Sequence, residues 1–136
     1  MSTKKEQYLL LFRGTDWPHG LSPQQIQEVM LRFKSWFDGL TAEGKVKSGH
    51  PLERGGKVVS SKNGRVISDG PFPESKETIG GYFLVEVANE EEAVTIARNC
   101  PTLEYGGRVE VRQVAPECPM MQEMKETLGD MHFAVA

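Results

Sequence analysis

The stretch Gly81-Tyr82-Phe83-Leu84-Val85-Glu86-Val87-Ala88-Asn89-Glu90-Glu91-Glu92 carries a strand straight into a helix start. Residues 82–87 are mostly aromatic or apolar with β-branched valines, which suits pleated backbone. Asn89 can then cap free amides with its side chain, and the three glutamates sit where the positive end of a helix dipole favours carboxylates. Pro101 limits this second helix. Beyond it, Arg108-Val109-Glu110-Val111-Arg112-Gln113-Val114 alternates apolar and polar residues and reads as the last strand.

The chain toward the N-terminus repeats this alternation of element types. Tyr8-Leu9-Leu10-Leu11-Phe12 is apolar on both alternating faces and is stopped by Gly14, as expected of an inner strand covered on two sides. Ser22-Pro23-Gln24-Gln25 supplies a capping hydroxyl, a proline at the first helical position and a glutamine three residues on. Ile26, Val29, Met30, Phe33, Trp36, Phe37 and Leu40 then form one apolar stripe, with Gln27, Arg32, Lys34 and Asp38 toward water and Gly44 as a left-handed stop. Between the two halves, Lys62-Asn63-Gly64-Arg65 centres on the pair that best tolerates a tight hairpin turn, so residues 57–60 and 65–68 should pair.

Strand, helix, strands, strand, helix, strand is an α+β order of the ferredoxin-like βαββαβ kind, with the Asn63-Gly64 hairpin added to it. Phe83, Val85 and Val87 should lie under the helices, which leaves Tyr82, Leu84 and alternate members of the first strand on a second apolar face. A homodimer is expected to cover that face. The alternative cover is the C-terminal segment, where Met120, Met121, Met124, Leu128 and Met131 fall at helical spacing after Pro119.

With 136 residues, 38% hydrophobic and 26% charged, the chain suits one domain, expected as a core over 6–115 with a C-terminal extension over 116–136. A net charge of −3 argues against a nucleic-acid partner, because phosphate binding normally shows as clustered Lys and Arg. Cys100 and Cys118 form no metal-ligand spacing and no disulfide framework; no metal or other cofactor is expected. No long apolar run follows the N-terminus and none is long enough to span a membrane, so a cytoplasmic protein is expected. Gly80-Gly81 and Gly106-Gly107 precede strands instead of opening a helix, and so are not a nucleotide fingerprint.

Three segments carry a family resemblance: Asp69-Gly70-Pro71-Phe72-Pro73-Glu74-Ser75-Lys76-Glu77, then Gly80-Gly81-Tyr82-Phe83-Leu84, then Gly106-Gly107-Arg108-Val109-Glu110-Val111-Arg112. Together they resemble the DGPF pattern of YCII-related proteins, over residues 8–114. The resemblance implies a dimeric ferredoxin-like α+β fold, of the dimeric α+β barrel type, in a mostly bacterial family with a cleft near the DGPF loop. It further implies small-molecule chemistry, since some relatives remove chloride from an aromatic ring, or a stress or regulatory role, since others are encoded beside alternative sigma factors.

Asp69, ahead of Gly-Pro, can aim a carboxylate into a cleft as an acid-base group, or can bond nearby amides as a turn former. His50, in Ser48-Gly49-His50-Pro51-Leu52, can exchange a proton with a ligand while Asp69 orients it, or can be an ordinary loop histidine. YCII proteins proper are thought to use a His-Asp pair, though no motif matches His50 to that histidine. His19 and His132 are weaker candidates. Arg13 can hold an anion or simply end a strand in solvent. Phe72 can stack on an aromatic ligand or plug the core, and the Tyr82 hydroxyl can line an inter-subunit cavity or satisfy a backbone group. Two functions follow: a lyase or hydrolase-like enzyme on a small polar or aromatic metabolite, with Asp69 and His50 catalytic and Arg13, Phe72 and Tyr82 binding substrate, or a non-catalytic dimeric module that binds a metabolite or a protein.

Overall fold

A computed structural model describes residues 4–59, 67–69 and 78–128, with residues 67–69 and 128 described by backbone alone. In chain order they form β1 (Glu6–Arg13), α1 (Pro23–Ala42), β2 (Val46–Pro51), β3 (Lys57–Val59), β4 (Ile67–Asp69), β5 (Ile79–Val87), α2 (Glu90–Arg98), a 3-10 turn (Pro101–Tyr105), β6 (Arg108–Gln113) and α3 (Pro119–Leu128). β2, β5, β1 and β6 make a four-stranded sheet in that order, every neighbouring pair antiparallel. With α1 joining β1 to β2 and α2 joining β5 to β6, this is the α+β ferredoxin-like arrangement read from the sequence.

The helix starts form as their residues dictate. Gln25 N–H donates to Ser22 Oγ at 3.1 Å while Ser22 N–H donates to Gln25 Oε1 at 2.8 Å, a reciprocal capping box. Glu92 N–H donates to Asn89 Oδ1 at 2.9 Å, and the Glu92 carboxylate accepts from Ala88 N–H at 2.8 Å. That amide, and after it Lys45, holds the Glu92 carboxyl below its ordinary range. α1 ends before Gly44, whose φ of 75° no side-chain-bearing residue adopts cheaply. The 3-10 turn, with Pro101 at its start, has no counterpart in the sequence reading.

Tyr8, Leu10, Phe83, Val85 and Val87 pack with Leu40 of α1 and Ala93, Ile96 and Ala97 of α2 in one buried cluster, so both helices cover the same face. The α1 stripe is not uniformly buried: Val29 is enclosed, whereas Met30 stays 47% exposed at the wall of a cavity. On the other face, Leu9, Leu11, Tyr82 and Leu84 are only half-buried. α3 forms as the methionine spacing predicts, but it makes no extended contact with the other described elements, and Met120 and Met124 remain 72% and 39% exposed. It does not cover the sheet among the described residues; Met131 lies outside them.

β3 and β4 pair antiparallel as a separate hairpin, Lys57 with Asp69, Val58 with Ser68 and Val59 with Ile67. The pairing agrees with the expected hairpin but reaches one residue further, to Asp69, and its Asn63-Gly64 turn lies outside the described residues. Among the described residues no helix is long and apolar enough to cross a membrane.

Candidate functional site

Where β1, β2 and β5 meet the start of the loops at one end of the sheet, a cavity of about 540 Å³ opens beside α1. Its size lies within the range of small-molecule sites. The rings of Phe12, Phe33, Phe37 and Phe83 wall its inner part. They stand edge-on or tilted: Phe12 and Phe83 are 4.7 Å apart at 80°, Phe12 and Phe33 are 5.5 Å apart at 67°, and Phe37 and Phe83 are 5.0 Å apart at 51°. Such pairs are favourable because the positive edge of one ring meets the negative face of the next.

The rim is polar. His50 and Tyr82 are cross-strand partners on β2 and β5, with ring centroids 5.7 Å apart. The strands approach this closely because residue 81 is glycine: a Cβ there would stand 2.9 Å from the His50 carbonyl oxygen and 3.2 Å from Pro51 Cα. Arg13 ends β1 at the cavity, and its Nε donates to Glu110 Oε1 at 2.6 Å. Arg112 Nη1 donates to the other Glu110 oxygen at 3.1 Å. These two guanidinium groups, Arg13 foremost, hold the Glu110 carboxyl below its ordinary range.

Three of the five residues singled out from sequence, Arg13, His50 and Tyr82, therefore line one cavity. Asp69 is placed by its backbone at the end of β4, opposite Lys57. Phe72 lies outside the described residues, as does the rest of the Gly-Pro-Phe-Pro stretch. The sequence reading missed Trp17, Lys34 and Arg54 as lining residues and took Phe33 and Phe37 as plain core. Trp17 and Arg54 sit in loops without periodicity; the phenylalanine spacing marks a helix face but not whether that face meets side chains or a void. Of the titratable groups outside the cavity, Cys100 is buried with its Sγ 3.2 Å from Thr102 Oγ1, and burial pushes its thiol pKa up, the opposite of a reactive thiolate.

Similar proteins place the chain in a family. An uncharacterised protein of Rhizobium meliloti (strain 1021) is 37% identical over 51 residues, a stretch covering 37% of this chain and 41% of that relative, so the chain matches less than half of its length. Among solved structures, 5-chloro-2-hydroxyhydroquinone dehydrochlorinase from Burkholderia phenoliruptrix AC1100, in complex with 2,5-dihydroxybenzoquinone, has a TM-score of 0.47 at 15% identity, over 80% of this chain and 93% of that one. A protein of Arabidopsis thaliana has a TM-score of 0.33 at 19% identity, over 82% of this chain and 94% of that one. Likeness this distant carries no argument about chemistry. The YCII-related domain, by contrast, matches residues 5–118, nearly the whole of the described sheet and its helices, and the chain belongs to the YCII-related family.

Proposed function

We propose that this chain is a small-molecule enzyme of the DGPF branch of the YCII-related family, lyase or hydrolase-like, that binds a polar or aromatic metabolite in the cavity at the end of its sheet. His50 and Asp69 form the acid-base pair, and Arg13, Tyr82 and Phe72 contact the ligand. The observation that carries this reading is that Arg13, His50 and Tyr82, from three different strands, all line one cavity at the end of the sheet. An imidazole at such a rim can take or give a proton near neutral pH. Asp69 belongs to the hairpin that follows the cavity: three chain steps separate Arg54 from Lys57, the hairpin partner of Asp69, which limits the Arg54-to-Asp69 Cα distance to about 16 Å.

Leu9, Leu11, Leu84 and Tyr82, half-buried on the sheet face away from α1 and α2, support a homodimer formed through that face. Light scattering on dilution should then show a dimer, and a stable monomer at micromolar concentration would contradict it. Two free thiols fit a cytoplasmic setting.

The acid-base pair is tested by following the His50 ring-proton resonance against pH in the wild type and in Asp69→Asn. A coupled pair requires the two titration curves to differ. Superimposable curves would sink the pair and favour the second reading, a non-catalytic dimeric module that binds a metabolite or a protein.

A further inference from the structure

The chain as a whole is acidic, with 19 Asp and Glu against 16 Lys and Arg. The cavity inverts this balance: Arg13, Lys34 and Arg54 line it, and no Asp or Glu does so among the described residues. Two of these cations have carboxylate partners set back from the cavity. Glu110 holds Arg13 by its Nε at 2.6 Å, and Lys34 Nζ lies 2.6 Å from Asp38 Oδ2, one helical turn further along α1. No ion pair joins Arg54 to another described side chain, and it stands three residues beyond the end of β2, lining the same cavity as His50. Behind the cations, the lining is aromatic.

An apolar slot with a cationic rim selects a ligand of matching two-part character. The aromatic walls favour a flat ring, which can stack or meet them edge-on, and a water-excluding wall strengthens any ion pair formed beside it. Arginine meets a carboxylate with two parallel hydrogen bonds, a geometry that a neutral amide or hydroxyl cannot match. Resting on the reading of this cavity as the ligand site, we infer that its ligand is an aromatic acid, with the ring against the cavity side of the packed Phe12, Phe33, Phe37 and Phe83 cluster and the carboxylate on Arg54. The rim also raises the local concentration of such anions near a chain that otherwise repels them.

Calorimetric titration with 2-naphthoate and its neutral counterpart 2-naphthamide tests the assignment, using wild type, Arg54→Gln and Arg98→Gln. The wild type is expected to bind the carboxylate about tenfold more tightly than the amide, the size of one charge-assisted contact. Arg54→Gln should erase that preference without weakening the amide, and Arg98→Gln, at an exposed cation of α2 outside the cavity lining, should keep it. Because residue 54 is exposed, its replacement leaves the core intact. Equal affinities, no binding of naphthoate by folded wild type, or an unchanged preference in Arg54→Gln would each overturn the assignment. Naphthoate selectivity together with superimposable His50 curves would refute the acid-base pair alone; coupled curves without selectivity would refute the ligand class alone.

Discussion

The two halves of the helix layer are built from different residues and do different work. α2 brings Ala93, Ile96 and Ala97 down onto Leu10, Val85 and Val87, and every one of these side chains is buried. Small side chains let this helix approach the sheet closely, and the aliphatic groups pack in one buried cluster. α1 instead presents Phe33, Trp36 and Phe37, which pack on Phe12 and Phe83 and stay half-buried themselves. These rings pack on one another between α1 and the sheet, and Phe12, Phe33, Phe37 and Phe83 also line the cavity. One half stabilises the fold, and the other accepts some exposed apolar surface in return for a place to bind.

Replacing a residue in each half should break this contrast if it is wrong. Leu10→Ala, in the closed half, should cost about 3–4 kcal/mol in denaturant unfolding, the range for a fully enclosed leucine. Phe33→Ala, in the open half, should cost only about 2 kcal/mol although it removes a larger group, because part of the ring already meets solvent. A reversed order would remove the distinction. A finer probe is Gly81→Ala, whose new methyl must push the His50 carbonyl and Pro51. Loss of about 1–2 kcal/mol and a shifted His50 amide resonance are expected, the second of which an ordinary surface substitution would not produce.

The smallest effect is electrostatic. The Glu110 carboxyl titrates below its ordinary range in the folded state because of Arg13 and then Arg112. A lowered folded pKa adds stability at pH above the unfolded value, and that contribution is lost as pH falls through the folded value. Glu110→Gln should therefore be slightly less stable than wild type at pH 7, with the gap closing below about pH 4. Both partners are partly exposed, so salt should shrink the gap as well. A gap that widened in acid would contradict the assignment of the Arg13 pair.

These contrasts also mark what could be read from sequence. The order of elements along the chain followed from local signals that the tertiary structure reinforces: the Ser22 and Asn89 caps, the alternating β6, and the two-sided apolar β1. That His50, Arg13 and Tyr82 line one cavity follows from their places toward one end of the sheet, where neighbouring strands present side chains together. The cavity itself was not legible. Phe33 and Phe37 obey the same helical spacing whether they fill a core or line a void, and the spacing of Met30 gave no sign that it would stay exposed. Arg54 depends on a loop path that no periodicity encodes.

The most direct test of the account is the separation of the Asp69 carboxylate from the His50 imidazole in a crystal structure of the protein. The account predicts about 3 Å, hydrogen-bond contact, with the cavity open to both groups. Asp69 turned onto the backbone amides of its own turn, with His50 directed into bulk solvent, would contradict it.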